Sequence, residues 1–341
     1  MQTISALASP LRRATPTVRQ ITRRGFSSSH NLQATWGFIG LGRMGYPMAK
    51  NLRAKTPAED TLFVHDVNTA ATKQFLEEHP QGVRVAENVR EVAEKAETIV
   101  TSLPEPKHVK AVFKEMLEPA TLLSDGSVNK ERFFIDCSTI DPMTSGEVAD
   151  AAHSTGQGKF IDAPMSGGVV GAQAGTLTFM IGAPPEAVEG ATKVLSMMGR
   201  RVVHLGGPGA GLKGKLANNY LLALNNIATA EAMSMGVKWG LDPKALAGMI
   251  NTATGKCWPS EVNNPVPGVI EGSPASRGYE GGFGIGLASK DLKLALKAAE
   301  EAGVKLALGE PARALYDACE KAENCKGKDF SVVYRYLGGK E

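Results

Sequence analysis

The sequence predicts a doubly wound α/β domain followed by an all-helical domain, with one long helix where the two join. The chain has 341 residues, more than a single hydrophobic core usually serves, so two domains are expected. From Trp36 onward, short apolar runs alternate with helical segments, which indicates a parallel sheet covered on both faces. After Val203 the alternation stops, and a long run without proline carries apolar residues at helical spacing.

The α/β domain is predicted over residues 34–205. Its expected strands are Trp36–Ile39, Thr61–His65, Thr98–Leu103, Phe133–Cys137, Phe160–Ala163 and Thr176–Ile181. Its expected helices are Met44–Ala54, Thr69–Glu78, Val109–Glu118 and Met143–His153. Strands that alternate with helices in this way are expected to pair parallel, because each helix carries the chain back across the sheet.

The all-helical domain is predicted over residues 206–338. Its first helix is indicated by apolar positions that recur every three or four residues: Leu216, Tyr220, Ala223, Leu224 and Ile227. A helix from Gly211 to Trp239 would be about 43 Å long at 1.5 Å per residue. Further helices are expected at Pro243–Asn251, Leu287–Ala302 and Glu310–Ala322.

Residues 1–33 have the composition of a mitochondrial transit peptide and are excluded from the fold. These residues include five arginines among many serines, threonines and alanines, and the first acidic residue of the chain is Glu59. The alternative is a basic arm that binds nucleic acid. Neither a lysine cluster nor stacking aromatic residues support that alternative, so no nucleic-acid partner is expected. The transit peptide predicts a location in the mitochondrial matrix.

The rest of the composition argues against a membrane protein and against a metal site. The net charge is +3, and no apolar run approaches the roughly 18 residues of a membrane span. The four cysteines form no CxxC pair, so free thiols are expected in a reducing matrix. The six histidines show no spacing typical of metal ligands, so no metal is expected.

A glycine-rich segment after the first predicted strand indicates a dinucleotide site. Gly40-Leu41-Gly42-Arg43-Met44-Gly45 follows that strand and opens a helix, the context in which GxGxxG binds a pyrophosphate. Alone, this motif could be a simple turn. Asp66, however, ends the second strand 21 residues after Gly45, where a carboxylate meets the ribose hydroxyls. Because that carboxylate would repel a 2′-phosphate, a Rossmann domain that binds NAD is predicted. The alternative for Asp66 is a turn residue before Asn68.

Three further blocks resemble the β-hydroxyacid dehydrogenase family. Asp162-Ala-Pro-Met-Ser-Gly-Gly168, continuing to Met180, is similar to its substrate-binding block, and the segment 211–219 to its catalytic GxxxKxxxN segment. Four further segments resemble the 3-hydroxyisobutyrate dehydrogenase branch in particular: Cys257-Trp258, Asn264–Gly268, Gly281–Phe283 and Lys290-Asp291-Leu292. The resemblance covers nearly all of residues 36–338.

The resemblance implies that Lys215 is the general base and that Asn219 assists it. The two residues are spaced i,i+4, so they are neighbours on one face of a helix. A lysine acts as a base only when deprotonated, which requires a pKa well below about 10.4. Partial burial beside the positively charged nicotinamide would lower it. The alternative is a solvated surface lysine. Lys213 is the competing lysine, but Ala217 stands at its i+4 position.

The resemblance also assigns the remaining site residues. Ser166, Gly167 and Gly168 would form a cradle for the substrate carboxylate, with Asn218 as a further substrate contact. The alternatives are a plain glycine turn and a helix-packing amide. Residues expected to contact the cofactor are Leu103, Pro104, Thr139, Phe283 and Lys290. A core aromatic is the alternative for Phe283, and a surface lysine for Lys290.

The function implied is NAD-dependent oxidation of 3-hydroxyisobutyrate to methylmalonate semialdehyde, in valine breakdown. One alternative keeps the site but reduces glyoxylate or a semialdehyde with NADP, which Asp66 argues against. Another alternative is a non-catalytic nucleotide-binding relative. The presence of both Lys215 and Asn219 argues against it. The expected partners are a small hydroxy acid and further copies of this chain, forming a homodimer or homotetramer through the helical domain.

Overall fold

The structure is a computed structural model that describes residues 33–118 and 132–341. Residues 1–32, almost all of the predicted transit peptide 1–33, lie outside the described residues, as do residues 119–131.

Six parallel strands form the main part of the sheet. They are β1 Thr35–Ile39, β2 Thr61–His65, β3 Val83–Val85, β4 Thr98–Thr101, β5 Phe133–Asp136 and β6 Lys159–Asp162. Their order is β3-β2-β1-β4-β5-β6, with every pair parallel, so the predicted doubly wound sheet is confirmed. Strand β3 was missed by the sequence analysis because its three residues are too few to show a period.

Helices cover both faces of this sheet, and each face has its own apolar cluster. They are α1 Gly45–Lys55, α2 Thr69–Glu78, α3 Val89–Lys95, α4 Pro106–Leu117 and α5 Pro142–Ser154. Local chemistry explains where several of them begin. The side chains of Asn68, Asn88 and Asp141 each accept a backbone N–H in the first turn of the helix that follows. Proline occupies the first helical position of α4 and α5, where its missing N–H costs nothing.

Beyond β6 the sheet changes direction, which corrects the prediction for Thr176–Ile181. Strand β7 is Met165–Ser166 and β8 is Leu177–Gly182; β8 runs antiparallel to both β6 and β7. Only residues 167–176, which include the short helix α6 (Gly168–Ala174), separate β7 from β8. A parallel return needs a crossover of about a dozen residues or more, so this connection reverses the chain instead.

The last strand of the sheet, β9 (Gly199–Gly206), follows the helix α7 (Pro185–Leu195). It pairs parallel to β8, because α7 supplies the crossover that the shorter α6 connection lacks. Its final glycine lies just before the long helix that begins the second half of the chain.

The C-terminal part is helical, as predicted. The helix α8, Ala210–Lys238, has 29 residues, one residue earlier at each end than expected. The others are α9 Pro243–Thr252, α10 Trp258–Glu261, α11 Ile285–Glu301, α12 Gly309–Lys321 and α13 Val333–Tyr336. One apolar cluster, which includes Tyr279, Tyr316 and Tyr334, joins α8, α9, α11, α12 and α13. Because α8 also packs on β8 and β9, it connects this cluster to the sheet.

Candidate active site

The glycine-rich loop connects β1 to α1, and each of its glycines has a separate physical reason. Gly40 has a φ of 97°, and a Cβ there would collide with the carbonyl oxygen of Ser102. A Cβ on Gly45 would collide with the carbonyl oxygen of Gly40. At Gly42 a Cβ would meet nothing within 4 Å. The first and third glycines are therefore required by packing, whereas Gly42 leaves open space in front of the helix N-terminus, as a bound pyrophosphate needs.

Asp66 lies beside this loop, at the carboxyl end of β2. Its Oδ2 accepts the Leu41 N–H at 2.5 Å, and its Oδ1 accepts the Asn68 N–H at 2.7 Å. The contact with Asn68 forms the turn that the sequence analysis gave as the alternative role of Asp66. The contact with Leu41 joins the carboxylate to the glycine-rich loop. Asp66 therefore forms the turn and lies beside the glycine-rich loop, and its contact with a ribose stays a prediction. Arg43 is exposed, and Met44 is partly buried at the helix start.

The carboxyl ends of β4 and β5 form the next part of the cleft, held by a buried carboxyl group. Asp136 Oδ1 accepts hydrogen bonds from the hydroxyls of Thr101 and Ser138 at 2.7 and 2.6 Å. Ser138 Oγ in turn accepts the Leu103 N–H at 2.9 Å. Burial raises the pKa of Asp136 above its usual range. This network holds Leu103 and the segment just before Thr139 at the edge of the sheet where ligands of such folds bind.

Lys290 connects α11 to this edge. Its Nζ donates to the carbonyl oxygen of Thr139 at 2.9 Å and to that of Pro104 at 3.4 Å. The structure thus brings together three residues that the sequence analysis assigned to the cofactor. A purely solvated surface lysine, the alternative for Lys290, does not agree with these contacts.

Lys215 lies in the second turn of α8 and is only 7% exposed, whereas Lys213 is exposed. Burial lowers the pKa of Lys215, and the positive charge of Lys290 lowers it further. The carboxylate of Asp291 acts in the opposite direction. A buried amine with a lowered pKa is the form that base catalysis requires.

Asp291 is the site residue that sequence reasoning missed. It is 4% exposed, and its Oδ2 accepts the Asn219 side-chain amide at 2.6 Å. Its Oδ1 is 3.4 Å from Lys290 Nζ. The exposed Asn218 donates to Asn219 Oδ1 at 3.1 Å. The sequence analysis recognised Lys290-Asp291-Leu292 as a motif but gave Asp291 no role. Only the packing of α11 on α8 shows that its carboxylate accepts the Asn219 amide.

The segment from Asp162 to Gly168, predicted to bind the substrate, meets the start of α8 through Asp162. Its Oδ1 accepts the Gly209 N–H at 2.6 Å, and its Oδ2 accepts the Leu212 N–H at 2.9 Å. Ser166, four residues later, is half-buried, and Gly167 and Gly168 are exposed with φ angles of 134° and 61°. These positive φ angles turn the backbone of the proposed cradle and favour glycine at both positions.

The ring of Phe283 packs edge-on against Phe330, with 5.7 Å between the ring centroids. The residue is half-buried, so its ring contributes to the helical core while part of it stays accessible. Both interpretations made from the sequence are compatible with this position.

Within residues 33–118 and 132–341, no group of three or more potential metal ligands occurs. The helices of the same ranges include none long and apolar enough to cross a membrane.

Two family models together match nearly the whole described chain. The NAD binding domain of 6-phosphogluconate dehydrogenase matches residues 35–206. The NAD-binding domain of NADP-dependent 3-hydroxyisobutyrate dehydrogenase matches residues 209–337. The two matches meet at the start of α8.

Named relatives align over most of their length. A probable mitochondrial 3-hydroxyisobutyrate dehydrogenase of Dictyostelium discoideum is 45% identical over 309 residues, 89% of this chain and 90% of the relative. The mitochondrial 3-hydroxyisobutyrate dehydrogenase of Mus musculus is 43% identical over 306 residues, 89% of this chain and 87% of the relative. A solved structure of 3-hydroxyisobutyrate dehydrogenase from Mycobacterium tuberculosis with L-serine has a TM-score of 0.81 at 35% identity, covering 90% of this chain and 99% of that one.

The open space at Gly42 leads to a prediction for Gly42→Ala. The fold should tolerate this change, since the new methyl group meets no protein atom, but the methyl group would occupy the approach of the pyrophosphate. We expect an unchanged melting temperature and NAD binding weakened by about tenfold or more, about 1.4 kcal/mol. Titration of NAD by calorimetry measures the binding. Gly146→Ala, at an equally open glycine in α5, is the matched control. Unweakened NAD binding by Gly42→Ala would show that the cofactor does not approach this glycine.

Proposed function

Because this chain belongs to the 3-hydroxyisobutyrate dehydrogenase family, we propose that it oxidises 3-hydroxyisobutyrate to methylmalonate semialdehyde, a step of valine breakdown. Family membership makes it an oxidoreductase with NAD as its cofactor. The observation that supports the mechanism best is the buried Lys215, which lies among Asn219, Asp291 and Lys290 where α8 and α11 meet the cleft.

Lys215 is the proposed general base. Oxidation of an alcohol requires that the hydroxyl lose its proton as the carbon loses a hydride, which NAD accepts when bound. The lowered pKa of Lys215 increases the fraction of neutral amine near neutral pH, and the neutral amine takes that proton. In the reverse direction the ammonium returns the proton to the developing alkoxide.

Asn219 and Asp291 orient this base. One oxygen of Asp291 accepts the Asn219 amide, and the other contacts Lys290. Both oxygens therefore have partners other than Lys215. A carboxylate paired directly with Lys215 would stabilise the ammonium and raise its pKa. In this arrangement the Asp291 carboxylate still raises the pKa of Lys215, but the loss of hydration lowers it by more.

The substrate carboxylate is proposed to bind Ser166 and the backbone N–H groups of Gly167 and Gly168. A hydroxyl and unobstructed N–H groups suit an anion, and both glycines are exposed. Asn218, also exposed, lies beside Asn219 and is proposed as the further polar contact.

The cofactor is proposed to bind along the loop from Gly40 to Gly45 and to extend toward Leu103, Pro104 and Thr139. Asp66 is the residue proposed to exclude a 2′-phosphate, because a second negative charge would be placed against its carboxylate. The second family model takes its description from an NADP-dependent enzyme, so the choice between NAD and NADP is the comparison that the assays must include.

The placement of the chain in the cell and its domain division are part of the proposal. Several relatives are named mitochondrial, and we propose the matrix as the location, with residues 1–33 as the transit peptide. The division into residues 34–205 and 206–338 is supported by family models that end at 206 and begin again at 209.

A homodimer or homotetramer through the helical domain is also proposed. Large apolar side chains near the end of α8 and in α9 are exposed, among them Trp239 at 70% and Met249 at 54%. Met235 and Leu241 are exposed close to them in the chain. We propose that these exposed apolar side chains lie on the face that contacts another copy of the chain.

The base assignment predicts the behaviour of Lys215→Ala. Turnover of 3-hydroxyisobutyrate should fall by about 10²–10⁴-fold, the usual contribution of acid–base catalysis, while NAD binding is retained. Lys213→Ala is the matched control, since it removes an exposed lysine from the same helix turn. In the unaltered enzyme, oxidation should accelerate as pH rises through the lowered pKa of Lys215, and semialdehyde reduction should slow. Full turnover by Lys215→Ala would rule out this base.

The role of Asp66 predicts how cofactor preference changes. Asp66→Asn keeps the shape of the side chain but removes the charge, and Asp66→Ala removes both. We expect the ratio of kcat/KM with NAD to that with NADP to fall in both variants, because charge repulsion decides it. A fall only in Asp66→Ala would show instead that the hydrogen bond to Leu41 matters and that repulsion does not.

The interface predicts the behaviour of Trp239→Asp. A charge in the middle of a buried apolar surface is costly, so we expect the oligomer to dissociate into a smaller species in light scattering. The matched control is Val85→Asp, at an exposed apolar residue of β3 in the other domain, which should leave the mass unchanged. An unchanged mass of Trp239→Asp would place the interface elsewhere.

A further inference from the structure

We propose that Asp162 is a positioning residue for the catalytic lysine. Its carboxylate fixes the first turn of α8 to the end of β6, and so sets where Lys215 lies relative to the cradle at Ser166. The inference deepens the proposed function and rests on its assignment of Lys215.

The contacts of Asp162 are those of a carboxylate that caps a helix from a distant strand. Its two oxygens accept the N–H groups of Gly209 and Leu212, at 2.6 and 2.9 Å. Both donors belong to the start of α8, where backbone N–H groups have no partner within the helix and carry partial positive charge. Gly209 itself has a φ of 84° and no side chain that could cap the helix. The cap is therefore supplied by a residue 47 positions earlier in the chain.

Two glycines make room for this carboxylate. A Cβ on Gly182, at the end of β8, would collide with Asp162 Oδ1. A Cβ on Gly211 would lie 2.8 Å from Asp162 Oδ2 and would also collide with the carbonyl oxygen of Met180. Three chain segments therefore meet at the carboxylate without any intervening side chain, so the helix start has little room to shift.

Both halves of the proposed active site extend from this point. Lys215 is three residues after Leu212, within one turn of α8. Ser166 is four residues after Asp162, and the pairs Met165 with Phe179 and Ser166 with Thr178 hold it against β8. A shift of the α8 start would therefore move the base relative to the cradle, and a displacement near 1 Å is enough to cost about 10²-fold in rate.

The surroundings of Asp162 disfavour its charged form, although the hydrogen bonds from Leu212 and Gly209 favour it. Burial raises its pKa to about 6, and the carboxyl group of Asp136 on the neighbouring strand β5 adds to this. Gly182 of β8, which pairs with Asp162, carries no charge, and the first titratable residues along α8 are Lys213 and Lys215. Because this pKa lies above the ordinary value of 3.8, protonation favours the folded chain between these two pH values. Acid should therefore weaken the cap without unfolding the protein through this group.

Semialdehyde reduction with NADH, followed from pH 5 to 9, tests the inference. In this direction the ammonium form of Lys215 is the active one, so Lys215 produces only a decline toward high pH. We expect kcat of the unaltered enzyme to decline also toward low pH, with a midpoint near the Asp162 pKa of about 6. Asp162→Asn should lower kcat by about 10²-fold at neutral pH, abolish the decline toward low pH and leave NAD binding unchanged.

The matched control is Asp60→Asn. Asp60 is also buried and accepts two N–H donors, from Ala34 and the Trp36 ring at 3.0 and 2.9 Å. It lies just before β2, at the amino end of the strand, whereas Asp162 is at the carboxyl end of β6. Asp60→Asn should keep both kcat and the decline toward low pH. A second variant, Gly211→Ala, displaces the helix start without altering the charge, and should lower kcat while retaining that decline. Gly248→Ala, at an open glycine of α9, is its control.

The outcomes separate this inference from the proposed function. If Lys215→Ala is inactive but Asp162→Asn and Gly211→Ala turn over at the normal rate, the positioning role is wrong and the base assignment stands. If Lys215→Ala is active, the base assignment fails whatever Asp162 does. If Asp162→Asn does not fold, the decline toward low pH in the unaltered enzyme and the effect of Gly211→Ala still decide, and absence of either overturns the inference.

Discussion

The arrangement of the site depends on one constraint, the burial of the Lys215 amine away from water. Desolvation disfavours the ammonium, and a directly paired carboxylate would cancel that effect. Asp291 lies close enough to be felt by Lys215, yet its two oxygens are engaged by Asn219 and Lys290. The site therefore has a counter-charge near the lysine without a tight ion pair. That balance keeps the lysine buried with a lowered pKa, as the proposed base role requires.

The same constraint explains why two helices from different parts of the sequence must meet at the cleft. Lys215 and Asn219 come from α8, and Asp291 and Lys290 come from α11. Lys290 extends further and donates to the carbonyl oxygens of Thr139 and Pro104, at the sheet edge. A single pair of adjacent residues on α11 therefore links the proposed proton-transfer group, Lys215, to the proposed cofactor cleft. Movement of either helix would disturb both functions together.

Buried carboxyl groups organise the sheet edge that these helices face. Asp136 and Asp162 are paired neighbours at the carboxyl ends of β5 and β6. Asp136 holds hydroxyl groups that fix the loops after β4 and β5, and Asp162 holds the backbone of α8. Burial raises the pKa of both, which is a cost in stability at neutral pH. Retaining such groups is typical of functional sites, where geometry is maintained at the expense of stability.

Local patterns in the sequence determined much of this protein. The α/β alternation, the glycine loop with Asp66 and the long helix α8 were all evident from residues near one another in the chain, because periodicity and turn chemistry act over a few residues. The i,i+4 spacing of Lys215 and Asn219 likewise specified a shared helical face. Tertiary structure alone decided the antiparallel direction of β8, the contact of Asp291 with Asn219 and the capping of α8 by Asp162. These last two contacts join residues 72 and about 50 positions apart. Such contacts depend on how whole elements pack, and no local pattern encodes that packing.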